Sequence, residues 1–173
     1  MGVEVLEHSA PTLRGNKIHH CRLNGLQVYK EAKGLYEGNE IYGHTHACVR
    51  IWEVGDPTFN GNKIHSSKAC GVLIYECGKG HFVDNDIYDH RDYNVEVKRR
   101  AFPILERNRI SGGGQGGVYC HDGGGIHPDS FRDKKMTTFR IIENTVTPRS
   151  NAGEGNSKLS KLAHLSLSFK KRC

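Results

Sequence analysis

Aromatic side chains at a fixed spacing are the residues of this chain best suited to binding chemistry. Tyr29, Trp52 and Tyr75 recur with a 23-residue period, and Arg50 and Tyr119 share the neighbouring position of the same frame. Aromatic rings and arginine dominate the energetics of many protein interfaces, and an aromatic ring can also pack against a sugar. We therefore expect Tyr29, Trp52, Tyr75, Arg50 and Tyr119 to face outward and to form a partner-binding surface.

Carboxylates are the second group with chemical potential. Glycosidases need two convergent carboxylates roughly 5 to 9.5 Å apart. Glu53 and Glu76 share one frame position beside the aromatic row, and Asp84 and Asp86 flank Asn85. No cluster of basic residues accompanies either pair. We therefore predict no catalytic residue and no enzyme activity.

The chain has 11 histidines, several of which recur in the frame. His19 and His65 are two periods apart, as are His44 and His90. Two periods correspond to about 9.6 Å at the spacing of paired strands, which is too far for two histidines to share a metal unaided. We therefore expect no bound metal and no cofactor. One ladder is predicted to stack and to form hydrogen bonds at a turn, and it contains His19, Tyr42, His65 and Tyr88.

A single repeat sets all of these positions. Five Asn-x-Ile tripeptides recur with this 23-residue period, at Asn16 and Ile18, Asn39 and Ile41, Asn62 and Ile64, Asn85 and Ile87, and Asn108 and Ile110. Shortly after each asparagine, apolar residues alternate with the period of a strand, as in Leu26-Gln27-Val28. Such a short unit cannot bury its apolar face alone, so successive units must stack. We predict an all-β chain, a right-handed parallel β-helix (solenoid) of about five 23-residue coils.

Stacking at about 4.8 Å turns each frame position into a ladder. The isoleucines are expected to form an internal aliphatic ladder, and the asparagines are expected to bond amide to amide at a turn. The residues between them alternate in sign, as exposed neighbours should: Lys17, Glu40, Lys63, Asp86 and Arg109. A 46-residue super-period alternates proline with glycine, at Pro11, Gly34, Pro57, Gly80 and Pro103.

The frame also suggests how the chain is divided. We predict β-helix repeats over residues 2–125, an insertion and a degenerate last coil over 126–147, and a basic, irregular tail over 148–173 that is partly disordered or caps the open end. The degenerate coil is Phe139 to Val146, which comes later in the chain than the period requires. Gly2-Val3-Glu4-Val5 matches Gly71-Val72-Leu73-Ile74, so we expect the chain to begin inside a coil, as a fragment or isoform of a longer protein would.

Charge and cysteine content limit the classes of partner. The net charge is +6, but residues 148–173 hold six basic side chains and one acidic side chain, so the repeats are nearly neutral. A phosphate-tracking groove for nucleic acid is therefore not expected on the repeats. The six cysteines form neither a ladder nor a CxxC pair, and Cys120 occupies an inward position. We find no signal peptide and no apolar run of membrane length, and expect a cytoplasmic or nuclear location without membrane contact.

Three segments carry a resemblance to a known family. They are GLYEGNEIYGH, GNKIHSSKACGVLIYECGKGHFVDNDIYDH and PILERNRISGGGQGGVY. Over roughly residues 2–125 the chain resembles the β-helical repeats of the F-box only protein 11 and 10 family. The resemblance implies a non-catalytic module that recognises the protein substrate of a cullin-based, SCF-type ubiquitin ligase. The sequence has no recognisable F-box and no Cys/His-rich zinc segment, so the resemblance does not extend to docking on the ligase.

A second interpretation stays open, because many β-helices degrade or bind polysaccharides. In this second interpretation, the chain is a carbohydrate-binding or pectin-lyase-like protein, and its partner is a glycan.

Overall fold

The chain winds into coils of three short strands each. The computed structural model describes residues 1–125 and 140–147, and all regular structure in these ranges is β-strand. The first sheet contains β1 (Val3–Val5), β4 (Leu26–Val28), β7 (Val49–Ile51), β10 (Val72–Ile74), β13 (Tyr93–Val97) and β16 (Gly116–Cys120). The second contains β2 (Thr12–Arg14), β5 (Leu35–Glu37), β8 (Thr58–Asn60), β11 (His81–Val83), β14 (Ile104–Glu106) and β17 (Arg140–Ile142). The third contains β3 (Lys17–His19), β6 (Glu40–Tyr42), β9 (Lys63–His65), β12 (Asp86–Tyr88), β15 (Arg109–Ser111) and β18 (Thr145–Thr147).

Each strand pairs in parallel with its equivalent in the next coil, so the three sheets run along the solenoid. In the second and third sheets the middle residue of a strand points inward. The predicted isoleucine ladder is buried in this way, and Tyr36, Phe59 and Phe82 form an inner aromatic stack with ring centroids 4.6 and 4.8 Å apart. In the first sheet the outer two residues of each triplet, such as Val49 and Ile51, point inward. The middle residue is therefore directed outward.

The asparagines form a hydrogen-bonded column at the turn between the second and third sheets. Asn62 is representative and is 1 % exposed. Its Nδ2 donates to the carbonyl of Tyr36 and to Oδ1 of Asn85, both at 2.9 Å. Its Oδ1 accepts from the backbone N of Asn39 at 2.9 Å and from Nδ2 of Asn39 at 3.0 Å. Each inner amide thus joins two neighbouring coils and also holds a backbone carbonyl of the preceding coil.

The last coil resumes later in the chain than the period requires. Asn144 Oδ1 accepts from the backbone N of Asn108 at 2.7 Å, which continues the asparagine column. β17 and β18 pair in register with β14 and β15. Residues 126–139 and the tail of residues 148–173 lie outside the described residues. Cys120 needs a correction, because β16 is the last strand of the first sheet in the described ranges and this inward-facing residue is exposed.

The 46-residue super-period has a steric cause at the start of the second-sheet strands. Gly34 and Gly80 have φ of 129° and 127°, a backbone conformation that residues with a Cβ rarely adopt. A Cβ on Gly34 would lie 2.9 Å from the carbonyl O of Pro11 and 2.8 Å from the Tyr36 hydroxyl. Glycine at these two positions is therefore favoured by the backbone conformation, and at Gly34 also by the close approach of the preceding coil.

Two buried histidines follow the same double period. His44 Nδ1 accepts from the backbone N of Cys21 at 3.1 Å, and Nε2 lies 3.1 Å from the carbonyl O of Ile18. His90 bonds to the backbone of Ser67 and Ile64 in the same way, at 3.2 and 3.1 Å. Burial lowers the pKa of His90 to about 4 and also lowers the pKa of His44. Both rings are therefore neutral hydrogen-bonding links between coils.

Candidate recognition surface

The outward residues of the first sheet form one continuous surface, which we call the first-sheet face. It consists of the second-last residue of each strand and the residue that follows the strand. The second-last residues are Glu4, Gln27, Arg50, Leu73, Glu96 and Tyr119, and the following residues include Tyr29, Trp52, Tyr75, Lys98 and His121. Because the period of a strand is two, the same alternation that directs the core residues inward directs this set away from the core, although Gln27 and Tyr75 are themselves buried.

Tyr29, Trp52 and Tyr75 lie in one stack across three coils. The ring centroids of Tyr29 and Trp52 are 4.1 Å apart, and those of Trp52 and Tyr75 are 5.9 Å apart. The Tyr29 hydroxyl donates to Glu4 at 2.8 Å. This bond is the main cause of a raised pKa of Tyr29. Tyr75 is only 6 % exposed, which corrects the expectation that the whole row is open to solvent.

Arg50 explains why Tyr75 is covered. Its guanidinium carbon lies 4.5 Å from the ring centroid of Trp52 and 5.1 Å from that of Tyr75, and Nη2 donates to the Tyr75 hydroxyl. Both contacts have the geometry of cation–π interactions, which hold the long side chain flat on the sheet. The structure thus brings together four predicted residues, Tyr29, Trp52, Tyr75 and Arg50.

Tyr119, the fifth predicted residue, belongs to a separate stack two coils away. Its ring centroid lies 4.4 Å from that of Tyr93 and 4.7 Å from that of His121, and the residue is 38 % exposed. The first-sheet face therefore carries two aromatic patches. Leu73, which is half-buried, lies in the row between them.

Beside the second patch is a polar cluster that sequence reasoning missed. Glu96 accepts hydrogen bonds from Cys70 Sγ at 2.9 Å, Lys98 Nζ at 2.8 Å and His121 Nε2 at 2.9 Å. Burial alone would raise the pKa of Glu96, but the hydrogen bonds from Cys70, Lys98 and His121 lower it to about 2. The sequence signal that could have revealed this cluster is the position of Glu96 in the frame, next to the row that contains Lys98 and His121.

The carboxylates considered for catalysis are mostly paired with arginine. Asp84 accepts from Arg107 at 2.9 Å, Asp86 pairs with Arg109, and Glu76 accepts from Arg99 at 3.1 Å. Glu53 and Glu76 lie at left-handed turn positions just beyond the strands, with φ of 44° and 50°. The arginines occupy carboxylate oxygens that a glycosidase would have to direct at the glycosidic bond.

The histidine and tyrosine ladder lies on the outer side of the third sheet. His19, Tyr42, His65 and Tyr88 stack in sequence, with centroid separations of 5.1, 5.0 and 4.8 Å. Within residues 1–125 and 140–147, no group of three His, Cys, Asp or Glu side chains has the arrangement of a metal site. The same part of the chain contains no helix long and apolar enough to cross a membrane.

Comparison with known proteins agrees with this architecture. The family model described as right handed beta helix region matches residues 1–155, well over half of the chain. No curated protein and no solved structure matches the chain significantly. The three parallel sheets and this match confirm the predicted all-β parallel solenoid. The chain belongs to the right-handed β-helix family.

Proposed function

We propose that the chain is a non-catalytic protein-interaction module that binds a partner protein along the first-sheet face. One observation carries the proposal: Trp52 and Arg50 are half-buried in a rigid stack, and Tyr119 is exposed on the same face. Such side chains offer a large contact area and lose little conformational freedom on binding, because neighbouring coils already hold them.

The orientation of the rings favours a peptide over a sugar. A sugar packs against the open face of an aromatic ring, but Tyr29 and Tyr75 lie on the two sides of Trp52 along the stack. Tyr119 likewise stacks with two neighbours, Tyr93 and His121. The rings therefore present their edges and attached polar groups to a partner. Peptide side chains and backbone groups can pack against such a surface.

The finer proposal is that the partner is the protein substrate of a cullin-based ubiquitin ligase. Its support is the resemblance of residues 2–125 to the repeats of the F-box only protein 11 and 10 family. The proposed location is the cytoplasm or nucleus, and the proposal includes neither nucleic acid nor a membrane as a partner. The near-neutral charge of the repeats is its basis for leaving nucleic acid out.

A carbohydrate-binding or pectin-lyase-like function is the second candidate, because the right-handed β-helix fold is compatible with it. Its weakness lies in the site: stacked rings lack free faces, and Glu76, Asp84 and Asp86 are paired with arginine. Binding to a glycan array with loss on Glu53→Gln and Glu76→Gln substitution would favour this candidate over ours.

The test is quantitative affinity capture from cells that express the tagged chain. The double substitution Trp52→Ala and Tyr119→Ala removes the accessible ring of each patch, and we expect it to deplete a defined set of proteins at least tenfold. For the finer proposal, the half-lives of the captured proteins should change when the chain is overexpressed, and should not change when the double variant is overexpressed.

The matched control is the double substitution Tyr42→Ala and Tyr88→Ala, which removes two stacked rings from the third sheet. It should leave the captured set unchanged. Equal capture by the first-sheet variant, with its fold intact by circular dichroism, would show that the first-sheet face is not the binding surface.

A further inference from the structure

We propose that Arg50 anchors an oxyanion group of the bound peptide, either the carboxylate of an acidic residue or a phosphate. This inference rests on the proposed function and specifies the chemistry of the partner. The first-sheet face then selects an extended segment that places a negative charge beside an apolar or aromatic residue.

The position of Arg50 favours a ligand over an internal partner. Its register neighbours on the two adjacent coils are Gln27 and Leu73, and neither carries a charge. The guanidinium is held against Trp52 and Tyr75 by the contacts described above. The cation is therefore preorganised between neutral neighbours, which lowers the entropic cost of forming a directional contact with an anion.

Within the described residues, Arg50 has no ionic partner. No carboxylate there lies within 4.0 Å of its nitrogens, and buried Nε has no hydrogen-bond partner. Within the described residues, Arg50 Nη2 donates a hydrogen bond to the uncharged hydroxyl of Tyr75. A half-buried guanidinium that lacks a counterion is partly desolvated without compensation. An incoming oxyanion would restore that compensation through charge-assisted hydrogen bonds.

The other buried charge of the same face shows the opposite state. Glu96 receives three hydrogen bonds, two of them from Lys98 and His121, and needs no further partner. Arg50, in contrast, has no ion pair within the described residues, and the carboxylate of its own row at that end, Glu4, lies two coils away and accepts from Tyr29. This asymmetry would orient an acidic peptide along the solenoid.

The single tryptophan of the chain makes the proposal directly measurable. Trp52 is the only tryptophan and contacts Arg50, so its fluorescence reports on the proposed anchor. Capped tetrapeptides that carry two glutamates, two phosphoserines or two glutamines between glycines are titrated into the whole chain. We expect a saturable change with the first peptide, the second or both, and none with the glutamine peptide. The change should weaken as salt is raised.

Two variants at position 73 test the role of Arg50 without removing it. Leu73→Glu places a carboxylate in register beside Arg50, where it should pair with the guanidinium and compete with the peptide. We expect binding of the acidic peptides to weaken roughly tenfold, the loss of about one charge-assisted contact. Leu73→Gln has nearly the same shape as Leu73→Glu and no charge, so it is the reference against which the tenfold loss in Leu73→Glu is measured.

Equal fluorescence changes with the glutamate, phosphoserine and glutamine peptides would overturn the proposal that Arg50 anchors an oxyanion. Unchanged binding of the acidic peptides by Leu73→Glu would also overturn it. A response to trigalacturonate with none to either acidic peptide would also overturn it, in favour of an acidic glycan. The test of the Arg50 anchor can fail while the test of the proposed function succeeds. If Trp52→Ala and Tyr119→Ala abolish partner capture while Leu73→Glu leaves peptide binding unchanged, protein recognition stands and the anion anchor fails.

Discussion

The asparagine column and the aromatic row of the first-sheet face repeat with the same period, but they differ in composition and in hydrogen bonding. The column uses one residue type throughout, and the inner amides, as at Asn62, are buried with donors and acceptors both used. The row changes from tyrosine to tryptophan to lysine and histidine along the coils, and Arg50 beside it has an unpaired nitrogen. Identical, satisfied positions hold the coils together. Varied and unsatisfied positions are available to a ligand.

Removing an inner amide of the column should have the largest effect on stability. In Asn62→Ala the backbone N of Asn39, the carbonyl of Tyr36 and Oδ1 of Asn85 lose a partner in a buried region. Each unsatisfied buried group costs about 1 to 3 kcal/mol, so we expect a loss of about 4 kcal/mol in the free energy of unfolding. Urea denaturation followed by circular dichroism measures it.

The control for this prediction is the exposed end of the same column. Asn16 donates to Asn39 and to the carbonyl of Arg14, and its side chain reaches solvent. Asn16→Ala should therefore cost about 1 kcal/mol, since water replaces the lost partner. Equal losses at the two positions would contradict the claim that burial and saturation, rather than residue type, give the column its strength.

Acidification should affect the interior through His90. Burial lowers the pKa of this ring to about 4, below its value near 6.5 in an unfolded chain. The unfolded state therefore binds more protons, and the stability that neutral His90 contributes is fully present above pH 6.5 and is lost as the pH falls toward 4. Between pH 7 and pH 5 the free energy of unfolding should fall by about 2 kcal/mol, with His44 acting in the same direction.

His90→Gln separates this titration from the others, because an amide can accept and donate a hydrogen bond without changing its charge. The variant should show a shallower decline between pH 7 and pH 5 than the unsubstituted chain. Glu96, with a pKa of about 2, stays ionised in this range and does not contribute. An unchanged slope in the variant would mean that His90 is already able to bind a proton in the folded state.

The same contrast explains what the sequence could predict. The asparagine and isoleucine ladders followed from the period alone, because the same residue recurs at one frame position in every coil. The partial burial of Tyr75 did not follow, because it depends on where the Arg50 side chain folds. The Glu96 cluster was also missed, since its donors, Cys70, Lys98 and His121, come from three coils and two different frame positions. A period predicts which residues become neighbours, and the rotamers decide which of them bond.

Substitution of Trp52 should have the smallest effect on stability, and it tests whether the aromatic row of the first-sheet face is needed for the fold. Trp52→Leu removes the ring that stacks on Tyr29 at 4.1 Å and faces the Arg50 guanidinium, but it leaves no buried polar group without its partner. An aromatic pair contributes about 0.5 to 1.5 kcal/mol beyond area burial, so we expect a loss of about 1 kcal/mol, measured by the same urea titration as for Asn62→Ala. A loss as large as that of Asn62→Ala would place Trp52 among the residues that hold the coils together. A small loss combined with abolished partner capture would instead separate the two regions by role, because recognition then depends on a side chain that the fold hardly needs.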